Sequence, residues 1–178
     1  MTVRTGLGVD THRFAAGRPL ILGGVEIPHD RGLAGHSDAD VLVHAITDAV
    51  LGAAGLGDIG EHFPDTDPRW EGADSIGLLR AAVLLARQAG WAVAHVDATV
   101  MLERPKLAPY RDEIRRRLAG ALSVRVDQVS VKATRGEGMG FVGREEGVAA
   151  LAVATVEDRT AESGAPLIRP LGQGPLGR

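Results

Sequence analysis

The sequence predicts an α+β fold, a two-layer sandwich of a mixed β-sheet with helices on one face. Three observations predict it. The chain opens with β-rich segments, strand and helix patterns then mix without a strict βαβ alternation, and 178 residues at 44% hydrophobic content suffice for one core. A chain of this size buries roughly 70% of its unfolded surface.

Residues 3–9 read as a short strand, and Leu20-Ile21-Leu22 and Val25-Glu26-Ile27 flank Gly23-Gly24, a two-residue hairpin signal. From Ser37, read as an N-cap, the residues Val41, Leu42, Ala45, Ile46, Ala49 and Val50 follow the spacing of an amphipathic helix. Gly52 or Gly55 ends it. Residues 57–72 are polar and rich in Gly, Pro and Asp, too long for an ordinary connection and so functional or mobile. Asp74 or Ser75 caps a second helix that runs to Ala89 and stops at Gly90. Residues 91–102 read as a strand, 109–122 as a helix with proline in its first turn, and 129–134 as another strand. A glycine-rich stretch, 136–147, leads to a last strand of about ten residues from near Val148. Residues 1–158 are expected to form the single domain. The Gly- and Pro-rich remainder, 159–178, lacks periodicity and is expected to be disordered.

The 20 basic and 23 acidic residues nearly cancel, and no Lys/Arg block stands out, so neither nucleic acid nor an anionic membrane is an expected partner. A small molecule is. With no cysteine, any metal must sit on His, Asp or Glu. The start, MTVRTGLGVD, has no apolar signal core, and no stretch approaches the roughly 20 apolar residues of a membrane span. A soluble, cytoplasmic protein is expected.

Asp10-Thr11-His12 follows the first strand, and residues two apart in extended chain point to one side, so both side chains can converge on one ion. On the first helix Asp40, His44 and Asp48 form a polar stripe that can bring His44 to the same ion. Three ligands of mixed Asp/His type match an open, catalytic zinc site rather than a closed structural one. Asp40 or Asp48 then orients a ligand imidazole. His36, at the loop-to-helix junction, fits a site residue or an exposed histidine, and Asp38 fits a first-turn acid favoured by the helix dipole.

The loop Asp58-Ile59-Gly60-Glu61-His62-Phe63-Pro64-Asp65-Thr66-Asp67 sets four carboxylates around two apolar residues. Such a loop can accept hydrogen bonds from sugar hydroxyls while Ile59 and Phe63 cover a carbon skeleton, although Asp/Pro turns explain half its composition. Lys106 and Lys132 each follow a strand, a position that suits either a phosphate contact or a plain surface lysine. Glu137, in a glycine-flexible turn, could hold a second, harder cation such as Mg²⁺.

Together these segments form a recognisable pattern: D-x-H near the start, HSDADVLVHAITDAVLGAAGLGDIGEHFPDTDP, ERPKL, then VKAT, a glutamate, and GF.GR. The chain resembles the 2-C-methyl-D-erythritol 2,4-cyclodiphosphate synthases of the non-mevalonate isoprenoid pathway from about Val3 to Glu157. The resemblance implies a homotrimer with each active site between neighbouring subunits. It implies conversion of 4-diphosphocytidyl-2-C-methyl-D-erythritol 2-phosphate to the cyclic diphosphate and CMP, by metal-assisted attack of the 2-phosphate on the β-phosphate. Zinc is implied on Asp10, His12 and His44, and a second cation, Mg²⁺ or Mn²⁺, on Glu137. His36, Thr134 and Glu137 take catalytic roles by the same resemblance. Substrate contact is implied for Asp10, His12 and Ile59, and for His36, Ser37, Asp58, Gly60, Phe63 and Asp65 on the sugar and methylerythritol side. On the cytidine diphosphate side it is implied for Lys106, Leu107, Ala133 and Thr134 from the adjacent subunit, and substrate contact extends to Phe141 and Arg144. Such chemistry leaves little covalent work for side chains, so no nucleophile is needed.

Two departures stand out. Where the family runs K-A-T-T-T-E, this chain has Lys132-Ala133-Thr134-Arg135-Gly136-Glu137, losing two hydroxyls and gaining a cation. Glu145 replaces the middle glycine of G-R-G-E-G, beside Arg144, which in the family lines a central cavity of the trimer. Two other readings compete: a metal-dependent phosphohydrolase that activates water, and a non-catalytic trimeric metal-binding scaffold.

Overall fold

The computed structural model describes residues 2–159. Its strands are β1 (Val3–Ala15), β2 (Leu20–Leu22), β3 (Val25–Ile27), β4 (Gly32–Leu33), β5 (Trp91–Met101), β6 (Val129–Thr134) and β7 (Gly147–Asp158). The helices are α1 (Val41–Ala54), α2 (Ile59–His62), α3 (Ser75–Gln88), α4 (Arg111–Leu122) and α5 (Gly140–Gly143). One sheet has the order β4-β1-β7-β5-β6, and β2-β3 form a separate hairpin. The β5–β6 pair is parallel and the other pairs are antiparallel, which makes the sheet mixed, as expected. The tail expected to be disordered lies outside the described residues except for Arg159, whose N–H donates to the Gly90 carbonyl at 2.9 Å.

The two sheet faces differ because strand side chains alternate. Gly6 and Gly8 of β1, Ala150, Ala152 and Ala154 of β7, and Val96, Ala98 and Val100 of β5 point to the helix side, where the β7 and β5 residues are buried. Small residues here let α1 settle directly onto β1 and β7. A Cβ built on Gly6 would stand 2.2 Å from the Ala49 carbonyl oxygen, so only glycine permits this approach. The opposite face carries Leu7, Val9, Leu151 and Val153, all exposed, with Leu7 at 65%. The core lies between the sheet and the inner faces of α1, α3 and α4.

Several boundaries depart from the sequence expectation. β1 continues to Ala15, because β7 pairs with it in register from Val3 opposite Glu157 to Arg13 opposite Gly147. Asp10 and His12 thus lie inside the strand rather than after it. Ser37 does not cap α1: its Oγ accepts the Ala39 N–H at 3.1 Å, and the cap is Asp40, which accepts the Val43 N–H. Asp74 caps α3 and Gly55, in the left-handed region, closes α1. The long connection contains α2 and a 3-10 turn, Pro68–Trp70.

Candidate active site

Asp10 and His12 protrude from the helix-side face of β1, and His44 faces them from the first turn of α1. Asp10 Oδ2 lies 2.9 Å from His12 Nε2 and 3.0 Å from His44 Nδ1, and the two ring nitrogens are 3.1 Å apart. One donor atom from each residue can therefore face a common ion. A tetrahedral cation with bonds of about 2.0–2.1 Å needs ligand atoms roughly 3.3 Å apart, a few tenths of an ångström beyond these separations. His12 Nδ1 lies 2.6 Å from the Ala34 carbonyl oxygen. A carbonyl only accepts, so Nδ1 carries the hydrogen and Nε2 is the ring atom free to ligate. The donor set fits a divalent cation.

Burial alone would raise the Asp10 carboxyl, but hydrogen bonds and charge from His12 and His44 outweigh it and hold the group well below the usual carboxylate range. Burial likewise opposes charging of His12, yet the hydrogen bond and charge of Asp10, with the Ala34 carbonyl, raise its pKa.

The expected imidazole orienters, Asp40 and Asp48, do other work. Asp40 is fully buried and accepts the Gly23, Gly24 and Val43 N–H groups at 2.9, 2.6 and 3.1 Å. It thereby ties the β2–β3 turn to the start of α1. Burial pushes its carboxyl up to about 6, against these three hydrogen bonds. Asp48 accepts the Ile59 N–H at 2.7 Å and anchors α2. His44 Nε2 instead meets Ser75 Oγ at 2.9 Å and Ser37 Oγ at 3.1 Å.

Beside the triad opens a cavity of about 460 Å³ lined by His12, His36, Ser37, His44, Ile59, Gly60, Phe63 and Asp65. Nearly the whole sugar-side set is thus gathered at one place. Asp58 does not line it; its carboxylate caps α2 by accepting the Glu61 N–H at 3.0 Å. Trp70 and Leu78 also line the cavity and were missed in the sequence. Trp70 stands edge-on to Phe63 with centroids 5.2 Å apart. The buried atoms His36 Nε2 and Trp70 Nε1 have no partner among the described residues. An indole in a polar loop was the available signal for Trp70.

A second cavity, about 380 Å³, is lined by Lys106, Leu107, Ala133, Thr134 and Arg135, and shares no lining residue with the first. Lys132 is not at either: it pairs with Asp97. Glu137, at φ 52°, accepts from Arg135 at 3.1 Å. Phe141 lines a groove with Thr11 and His12, and Arg144 pairs with Glu146 at 2.7 Å. Glu145 adopts φ 55°, a region that favours glycine, and makes two 2.8 Å hydrogen bonds with Arg104.

A family model described as the YgbB family matches residues 3–157. A 2-C-methyl-D-erythritol 2,4-cyclodiphosphate synthase of Salinibacter ruber is 64% identical over 155 residues, 87% of this chain and 99% of that one. One from Syntrophobacter fumaroxidans is 58% identical over 151 residues, 85% of this chain and 95% of its own. A solved 2C-methyl-D-erythritol-2,4-cyclodiphosphate synthase in its CDP-bound form superposes with a TM-score of 0.80 at 40% identity, covering 86% of this chain and 100% of that one.

Proposed function

The chain belongs to the YgbB family and is a cyclising lyase of the non-mevalonate isoprenoid pathway, and from that premise we propose how its residues divide the work. The reaction converts 4-diphosphocytidyl-2-C-methyl-D-erythritol 2-phosphate to 2-C-methyl-D-erythritol 2,4-cyclodiphosphate and CMP. An oxygen of the 2-phosphate bonds to the β-phosphorus, the bond from that phosphorus to the bridging oxygen breaks, and CMP leaves with the oxygen.

In this reading Asp10, His12 and His44 hold zinc, and Glu137 holds Mg²⁺ or Mn²⁺. Bound there, divalent cations supply Lewis-acid polarisation and charge neutralisation at the diphosphate. The remaining work is positioning. His36 and Ser37 orient the methylerythritol phosphate, while Asp65, which lines the cavity, accepts its hydroxyls together with the Asp58 oxygen not used to cap α2. Ile59, Phe63 and Trp70 wall the carbon skeleton and exclude water, so that the internal phosphate, not water, reaches phosphorus. Lys106, Leu107, Ala133 and Thr134 take the cytidine diphosphate, with Arg135 replacing lost hydroxyls by charge. Phe141 and Arg144 complete the substrate surroundings.

We further propose a homotrimer whose sites lie between subunits. The exposed apolar face around Leu7, Val9, Leu151 and Val153 supports an assembly of copies, since open sheet faces of this kind call for cover. The separate zinc-side and nucleotide-side cavities support a site completed by a neighbour. A CDP-linked substrate does not cross membranes unaided, which suits a cytoplasmic enzyme, and among the described residues no helix is long and apolar enough to span one.

The observation that carries the reading is the convergence of Asp10, His12 and His44 beside the first cavity, which His12 and His44 line. The test is to incubate the enzyme with the CDP-linked 2-phosphate and separate the products. CMP with the cyclic diphosphate in equal amounts is expected; free phosphate would mark a hydrolase instead.

A further inference from the structure

The geometry points to Ser75 and Asp38 as positioning residues that aim His44 at the proposed cation, with Nδ1 toward Asp10 and His12 and Nε2 toward Ser75. This inference rests on the metal site proposed above and adds to it a relay from a neighbouring helix.

A neutral imidazole carries one ring hydrogen, and the nitrogen that holds it cannot ligate. For His44 the choice lies between Nδ1, 3.0 Å from Asp10 Oδ2, and Nε2, 2.9 Å from Ser75 Oγ. A serine hydroxyl both donates and accepts, so Ser75 alone imposes nothing. Asp38 removes the ambiguity. Its Oδ2 accepts the Ser75 backbone N–H at 3.1 Å, and its Oδ1 is hydrogen-bonded to Ser75 Oγ. An ionised carboxylate only accepts, so the single O–H of Ser75 is directed to Asp38 and its oxygen lone pairs are left toward His44. Nε2 is then held as a donor, and Nδ1, on the side of Asp10 and His12, is the atom left to face a cation.

Ser75 is fully buried, at 0% exposure, so solvent does not compete for its hydroxyl. Ser37 Oγ stands farther from Nε2, at 3.1 Å, and accepts the Ala39 N–H, so Ser75 is the nearer partner. The Ala34 carbonyl fixes His12 with the same polarity. Both ligand rings are thus aimed from behind, one by backbone and one by a hydroxyl–carboxylate pair, an arrangement whose loss commonly costs 10- to 100-fold in metal affinity.

The test measures zinc affinity of the full chain by competition with a chromophoric chelator, alongside nitrogen NMR of His44 in the zinc-loaded protein. Ser75→Ala should weaken zinc binding by about 10- to 100-fold with Tm nearly unchanged, and Ser75→Thr should restore it. The zinc-loaded wild type should carry the His44 hydrogen on Nε2, with Nδ1 turned to the metal. Asp38→Asn offers a near-isosteric second arm: its amide can donate to Ser75 and reverse the relay, so the same loss is expected even if Ser75→Ala folds poorly. Wild-type zinc affinity in both variants, or a His44 hydrogen on Nδ1, would overturn the relay while leaving the metal site standing. His44→Ala with undiminished zinc affinity in the same assay would overturn the metal site itself.

Discussion

Gly8 and Ala45 meet backbone to backbone: a Cβ built on Gly8 would stand 1.9 Å from the Ala45 carbonyl oxygen. Two residues beyond Gly8 is Asp10, and the residue before Ala45 is His44, so this contact sets the spacing across which the triad closes. Gly8→Ala should force α1 away, costing about 1–3 kcal/mol or more and weakening zinc retention. Gly52→Ala, on the same helix with open space around it, should be neutral or stabilise by about 0.5–1 kcal/mol. Thermal melting and zinc content check both. Equal Tm for Gly8→Ala and wild type would show that the contact is not limiting.

Asp40→Asn should destabilise the fold. The amide nitrogen of asparagine cannot accept, so one or more of the Gly23, Gly24 and Val43 N–H groups would lose its acceptor in a fully buried place. A loss of about 1–3 kcal/mol is expected in denaturant unfolding. Zinc affinity should change less than in Ser75→Ala, since Asp40 does not touch His44 Nε2.

Proton and metal should compete at His12. Because Asp10 raises its pKa, zinc affinity should begin to fall with acidification at a higher pH than an ordinary histidine, near 6.5, would give. The zinc-free protein should respond in the opposite sense. A raised His12 pKa contributes stability that is present below its unfolded value and lost as pH rises through the folded one. The lowered Asp10 pKa contributes stability that is lost only in strong acid. Over the range above about pH 6.5 in which His12 loses its proton, this pair's contribution should therefore fall in the zinc-free protein while zinc binding strengthens. A zinc-free Tm that rises across that window would contradict the pairing.

The proposed sharing of each site between subunits makes two inactive variants complementary. His44→Ala keeps the nucleotide half and Lys106→Ala the zinc half, so random mixed trimers should hold roughly a quarter of sites with both halves intact. Co-expressed variants should recover activity near that fraction. Activity no greater than the sum of the two parents would place each site within one chain.

Sequence made the triad legible because period-two spacing in a strand and one helical histidine are local signals. The β2–β3 hairpin was legible from Gly23-Gly24 for the same reason. The full length of β1 was not, since Asp10, Thr11, His12 and Arg13 interrupt the apolar pattern and only pairing with β7 keeps them extended. Nor was the role of Ser75: a helix-start serine reads as a cap, and its contact with His44 joins residues 31 positions apart. Asp40 misled because its stripe position suggested His44, whereas the donors it satisfies lie on a turn earlier in the chain.

The central claim is that Asp10, His12 and His44 hold the cation on which turnover depends. Its most direct measurement is metal content and CMP release on the same enzyme before chelation, after it, and after zinc is returned. One zinc per chain, loss of CMP release with the metal, and recovery in proportion to zinc restored are the predicted results. Undiminished CMP release from metal-free enzyme, or full zinc occupancy in His44→Ala, would contradict the account.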